Sequence, residues 1–326
     1  LMIRRPPRST PKPSSAASMC IRDRLNTTFQ DFGRKNLSHL GIPISGAMDN
    51  RNFQIVNYLV GDKDKTVLEF AYQGPLLKYF GNEAYIAVSG NVNFKLIRNN
   101  KIEDGNCYQT YNIKNGDEID IISTINSVYG YISVCNGFKT NISFGSSSTN
   151  TKAEIGGNNG KKIQTNDLVS INQSSKFPSL RKINYLNKKI EFLRVIKGPN
   201  FNYFDEVSKK DFFSKNFEVS KFTDRMGMRI NGPKLNNIVS TNIKSEGIIK
   251  GVIQVPGDGN PIIMLSDHGT IGGYPKIANI ISADYDKLVQ LSPGSKIRFK
   301  EINLNEAENL YYLYNLETQN LLNQIN

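Results

Sequence analysis

From Leu25 onward the chain alternates short apolar runs with clusters of Gly, Asn and Asp. The runs are TVLEFAY (66–72), AYIAVSG (84–90), NFKLI (93–97), EIDIIS (118–123), VYGYISV (128–134), DLVSI (167–171), EFLRVI (191–196), IIKGVIQV (248–255), PIIML (261–265) and KIRFKEI (296–302). Segments of this length, rich in β-branched and aromatic residues and bounded by turn residues, predict strands of a sandwich or barrel, so the expected class is mainly β. Helical spacing is confined to three places. Residues 50–59 follow Asp49 as an N-cap, 203–214 carry an amphipathic pattern, and 305–323 place Leu310, Leu313, Tyr314, Leu316 and Leu321 on one stripe. Such stripes ordinarily mean core packing.

Two patterns recur and suggest duplication. A Gly-Pro pair followed by an apolar residue or nearly so appears as QGPLL (73–77), KGPNF (197–201) and NGPKL (231–235). A turn leading into a strand appears as NGDEIDI (115–121), TNDLVSI (165–171) and PGSKIRF (293–299). The stretch SSKFPSLRKINYLNKK (174–189) lacks a sustained apolar period, which sets a boundary between a half at 25–185 and a half at 186–326.

Composition narrows the function classes. No apolar stretch approaches the length of a membrane span, and 38% hydrophobic with 21% charged residues is a globular balance. The net charge of +12 is unevenly placed: residues 1–24 hold six basic residues against the single Asp23. The remaining lysines are scattered without aromatic stacking motifs or a basic helix, so a solvated surface is expected and nucleic acid is not. The leader LMIRRPPRSTPKPSSAASMCIRDR is basic and rich in Pro and Ser, without the apolar region of a signal peptide. It resembles translated adapter sequence, and residues 1–24 are expected to be disordered or non-native and to stand outside the fold.

Three cysteines without a CxxC pair and two distant histidines, His39 and His268, argue against a zinc site or a disulfide framework and fit the cytoplasm. No metal is expected. Neither histidine accompanies a nucleophile motif, so triad hydrolysis is disfavoured. The stretch DHGTIGGYPKIANII (267–281) spends three glycines and a proline in nine residues. Glycine supplies positive φ and lets another group approach the main chain closely, so the Gly272-Gly273 pair predicts a bend lined with accessible amides.

Several longer motifs then stand in order: NTTFQDFGR (26–34), GIPISGAMDN (41–50), NYLVG (57–61), GSSST (145–149), GGNNGKKI (156–163), TDRMGMRINGP (223–233), SEGIIKGVIQVPGDGNPIIMLSD (245–267) and GGYPKIANIISAD (272–284). Together they resemble the biotin-dependent carboxyltransferase subunit family, also called the KipA-like or allophanate hydrolase subunit 2 family, over about Leu25 to Ala307. The resemblance implies two tandem cyclophilin-like β-barrel halves. Its best-described bacterial role is as the C subunit of ATP-dependent 5-oxoprolinase, which converts 5-oxo-L-proline, ATP and water to L-glutamate, ADP and phosphate. It implies two partners, a KipI-like subunit and a LamB/YcsF-like subunit, and no cofactor bound by this chain alone, with ATP used by the complex. Two alternatives come with the family: carboxyl transfer from carboxybiotin to urea, and a regulatory role antagonising a histidine-kinase inhibitor. Neither a P-loop nor a biotin-attachment motif occurs, which fits one member of a heteromeric complex. One departure is visible: Gly269 stands where relatives usually carry Gln.

Activating a lactam, or receiving a carboxyl group, builds negative charge on oxygen and calls for preorganised donors. Arg225, Asp267, Gln254 and Asp49 are the expected catalytic residues; Gly272, Gly273, Tyr274, Arg229 and His268 are expected to bind substrate. Each also has an architectural reading. Asp49 serves equally as a helix cap, Arg225 as a buried ion-pair partner, and the glycines as a tight bend. Gln254 points inward or outward by strand alternation.

Overall fold

The computed structural model describes residues 17–22, 26–172, 179–186 and 190–325. The chain is mainly β, and all ten apolar runs contribute strand residues. A seven-stranded sheet runs, in spatial order, Phe138–Lys139, Leu168–Ile171, Ser18–Arg22, Leu76–Phe80, Glu118–Thr124, Val92–Arg98, Lys101–Asp104. Facing it is a five-stranded sheet of Thr28–Gln30, Val67–Ala71, Tyr129–Val134, Ala84–Ser89 and Thr110–Ile113. Met19, Ile21, Leu77, Phe94 and Ile119 meet Phe70, Ile86, Val88 and Ile132 in one buried cluster. Alternate residues of each strand thus supply the core, as the pleat requires.

An eight-stranded sheet carries the second half, ordered Lys296–Ile297, Phe217–Thr223, Gly227–Asn231, Ile262–Met264, Val252–Gln254, Lys276–Ile280, Leu193–Lys197, Phe299–Glu301. Its two edges are consecutive in sequence, with only Arg298 between them. Phe299–Glu301 pairs in parallel with Leu193–Val195, while Lys296–Ile297 pairs with Phe217–Glu218. The sheet therefore curls into a nearly closed barrel that leaves little free edge.

Helix α1 (Asn50–Leu59) lies against Ala84–Ser89 and Tyr129–Val134 of the first half, and its Phe53, Ile55, Val56 and Leu59 belong to a second core cluster that runs on to Val195, Phe217, Ile253, Ile277 and Phe299 of the second half. Helix α2 (Glu206–Ser214) is capped by Asp205, and α3 (Tyr285–Val289) is a single short turn. The long α4 (Leu304–Asn323) opens on a capping box between Asn303 and Glu306. The cap at Asp49 and the position of the C-terminal helix agree with their sequence patterns, but the expected core stripe does not: Leu313 and Leu316 are exposed, and the buried positions of α4 are Ala307, Thr318 and Leu322. The pattern at 203–214 starts later than expected, because Phe201–Tyr203 forms a 3-10 turn before the Asp205 cap. Among the described residues no helix is long and apolar enough to cross a membrane.

The expectation that residues 1–24 stand outside the fold is overturned for Ala17–Arg22. Ser18–Arg22 is an internal strand, antiparallel to Leu168–Ser170 on one side and Leu76–Phe80 on the other. Ala17, Met19 and Ile21 are buried. The strand signal is their alternation with Ser18 and Cys20, a period of two over five residues that the Pro- and Arg-rich lead-in masks. Residues 1–16 and 23–24 lie outside the described residues.

Candidate functional site

Arg225 sits where the halves meet, between two carboxylates. Its Nε donates to Asp267 Oδ2 at 2.9 Å and its Nη2 to Asp267 Oδ1 at 3.1 Å, a bidentate fork. Nη1 donates to Glu69 and Nη2 also to the Gly46 carbonyl at 2.7 Å. Every guanidinium nitrogen thus has a protein acceptor. Burial alone would lower the Arg225 pKa, but Asp267 and Glu69 hold it well above the ordinary value. Burial pushes Glu69 upward against the pull of Arg225. We assign the pair as ionised, because Glu69 Oε2 also accepts from Met48 N at 2.7 Å and Tyr131 Oη at 2.8 Å.

Asp49 lies at the far end of this network, its N–H donating to Tyr131 Oη at 2.8 Å. Its carboxylate caps α1 through Asn52 N at 2.9 Å and accepts from Asn52 Nδ2 at 2.7 Å and Gln290 Nε2 at 2.8 Å. The next two amides of α1 are satisfied from the other half: Asn50 N and Arg51 N donate to Asp286 at 3.0 and 3.1 Å. Burial, reinforced by the Asp286 charge, pushes Asp49 up to about 7 against the donors from Asn52 and Gln290.

That shift has a sign. The folded-state value lies above the unfolded one, so the contribution is fully present below the unfolded carboxyl value and is lost as pH rises through about 7. This group is expected to make the protein about 1 kcal/mol less stable at pH 8 than at pH 6. Asp49→Asn keeps an oxygen for the Asn52 amide and removes the titration, so urea midpoints of the variant should lose that pH difference. An undiminished difference would place the titration elsewhere.

Beside Arg225 a cleft of about 470 Å³ opens, lined by residues of 221–229 with Ile262, Met264, His268 and Gly269. Two of the nine expected site residues, Arg229 and His268, line it. Arg229 is partly exposed, and its ion pair with Asp258 is long, at 3.5 Å. His268 is 2% exposed, with Nδ1 2.6 Å from the Gly269 carbonyl and Nε2 buried without a partner among the described residues. Burial and the nearby Lys250 cation lower its pKa. Gly269, at the position where Gln is expected, borders open space: a Cβ there meets only the Ile271 carbonyl, at 3.5 Å. Arg225 and Asp267 are set just behind this wall. Asp267 N donates to Arg225 O at 2.8 Å and Leu265 N to Met226 O at 2.9 Å, which fixes the two wall segments against each other.

Gln254, Gly272, Gly273 and Tyr274 form a separate group. Gln254 is buried and donates to the Tyr274 carbonyl at 3.2 Å, while Tyr274 is partly exposed. Gly272 pairs with Glu246 in a two-stranded ribbon, and the Gly273 carbonyl accepts from Ile243 N. Neither glycine adopts a positive φ, contrary to the expected bend. Close approach, the other expected use of glycine, holds at Gly272: a Cβ would lie 2.2 Å from Ile248 Cδ1 and 2.8 Å from Gln254 Nε2.

Sequence reasoning missed Glu69, Asp286 and Lys250. For Glu69 and Lys250 the signal is a single charge inside an otherwise apolar run, TVLEFAY and IIKGVIQV. Asp286 gives no such signal, because the amides it caps are 236 and 235 residues away. Among the described residues no group of acidic, His or Cys side chains could hold a metal ion.

The chain matches the carboxyltransferase domain family, subdomains A and B, over residues 40–301. It is 31% identical to the 5-oxoprolinase C subunit of Escherichia coli K12 over 88% of this chain and 92% of that protein. Identity to the 5-oxoprolinase C subunit of Haemophilus influenzae is 29%, over 87% of this chain and 90% of that protein. Kluyveromyces lactis urea carboxylase superposes with a TM-score of 0.85 at 26% identity, over 95% of this chain but 29% of that one.

Proposed function

Because the chain belongs to the carboxyltransferase family of subdomains A and B, we propose that it is the C subunit of a cytoplasmic, ATP-dependent 5-oxoprolinase, opening 5-oxo-L-proline to L-glutamate with partner subunits. The observation that carries this reading is similarity: identity is 31% to the Escherichia coli 5-oxoprolinase C subunit and 28% to the urea amidolyase of Lachancea kluyveri. A KipI-like subunit and a LamB/YcsF-like subunit are the proposed partners, and ATP is used by the assembly.

Within this reading the cleft beside Arg225 receives the amide. Arg229 at its mouth offers a planar fork of donors to charge developing on oxygen, since its tie to Asp258 is exposed and weak. Arg225 and Asp267 act as positioning residues: they hold the 225–226 and 265–268 segments together, and four of the five guanidinium N–H groups of Arg225 are used within the protein. Gln254 and Tyr274 stiffen the neighbouring ribbon.

The high TM-score to urea carboxylase favours a second reading, carboxyl transfer to urea. There carboxybiotin would supply the carboxyl group, and Arg229 is the residue of this chain suited to its carboxylate.

Reconstitution separates the two. With its KipI-like and LamB/YcsF-like partners the chain is expected to release L-glutamate from 5-oxo-L-proline only when ATP is present, and to be inactive alone. Glutamate formation absent from the complete assembly, with urea-dependent use of carboxybiotin instead, would overturn the first reading in favour of the second.

A further inference from the structure

His268 is a buried acceptor waiting for a donor. Its Nδ1 lies 2.6 Å from the Gly269 carbonyl, which can only accept, so Nδ1 carries the proton. In the neutral ring Nε2 is then a bare lone pair, and it is buried with no hydrogen-bond partner among the described residues. Buried polar atoms are almost always satisfied, and leaving one unmade is costly, so this orphan on a cleft-lining residue favours any donor that reaches it once the wall covering it gives way. The surroundings keep the ring neutral. Lys250 has no ion pair among the described residues, stands 4.2 Å from the centre of the Tyr285 ring, and repels a second positive charge at His268. Next to the imidazole, Gly269 leaves open space in the same cleft.

We propose that His268 Nε2 accepts the N–H of an amide-type substrate bound in this cleft, so that the site selects –CO–NH– groups by their hydrogen as well as their oxygen. The inference rests on the reading of the cleft as the substrate site. A lactam and a urea both carry the required N–H; a fully N-alkylated amide does not. A site built around such an acceptor rejects the analogue lacking the donor, because the lone pair then stays buried and unpaired.

The chain has only two histidines, so selective ¹⁵N-histidine labelling gives two imidazoles, assigned by a His39→Gln variant. With the labelled chain in the assembled enzyme, the Nδ1–H tautomer is expected at neutral pH. Saturating 5-oxo-L-proline should shift the Nε2 resonance of His268, and 1-methyl-5-oxo-L-proline should not. In kinetics the wild-type assembly should favour 5-oxo-L-proline over its N-methyl analogue by at least about 10-fold in kcat/KM. His268→Leu should abolish that preference, and His268→Gln, whose side-chain oxygen can still accept, should restore part of it. An Nε2–H tautomer, or an Nε2 signal indifferent to 5-oxo-L-proline and to urea, overturns the inference whether or not turnover occurs. Normal turnover with discrimination intact in His268→Leu overturns it while leaving the proposed function standing. A complete assembly that opens no lactam fails the proposed function alone if the Nε2 signal still responds to urea.

Discussion

Replacing Arg225 by methionine is expected to destabilise the protein by about 3–5 kcal/mol, because it strands Glu69 and Asp267 as buried carboxylates without their counter-ion. The loss is larger than that of a surface pair, since both carboxylates are almost fully buried and the guanidinium bridges the halves. Arg225→Lys should recover little: one ammonium cannot make the bidentate fork to Asp267 and still reach Glu69 and the Gly46 carbonyl. Urea unfolding of Arg225→Met, Glu69→Gln and the double variant forms the appropriate cycle. The expected signature is strong non-additivity, with the double variant more stable than the sum of single losses requires. A cost below about 1 kcal/mol for Arg225→Met would show that water, not the carboxylates, carries the energetics there.

Ile21→Ala is expected to cost about 2–5 kcal/mol, as for other fully buried aliphatic side chains, and Met19→Ala a similar amount. Both residues project into the cluster between the two sheets of the first half, and their strand is flanked on both sides. Removing residues 1–22 altogether should therefore cost more than either substitution, because the seven-stranded sheet is split at an internal position. Denaturant midpoints of the three variants check this directly. A truncated protein that unfolds with the parent's midpoint would show that Leu168–Ile171 and Leu76–Phe80 stand without the strand between them.

What can be read from the chain follows from how local each signal is. The ten apolar runs and the Asp49 cap are written within a few residues, and each has its counterpart in the structure. Phe217–Thr223 is not legible, because the alternation begun by Phe217 and Val219 breaks where the pairing register shifts, and Gly227–Asn231, though Met228 and Ile230 alternate with Arg229 and Asn231, is too short a run to stand out. Arg225 and Asp267 stand out on chemistry and do meet, but the third member, Glu69, comes from a strand 156 residues earlier than Arg225. Long-range polar partners of this kind leave no periodicity. Of the two properties of glycine that draw notice to Gly272, positive φ and close approach, only the second is used, against Ile248. His268 is marked in the sequence by its place beside Asp267, whereas its orphaned Nε2 emerges only from the packing.

Asp286 and Gln290 reach out of the second half to satisfy the first turn of α1 and the Val128 and Tyr129 amides of the first. The consequence is best expressed as valency. The two halves behave as partners of a complex that happen to share one backbone, and the tether sets their mutual concentration in the millimolar range. These polar bonds add to the apolar cluster shared around α1 and to the buried Arg225 bridge, and continuity of the chain is itself one of the interactions that hold α1 in place.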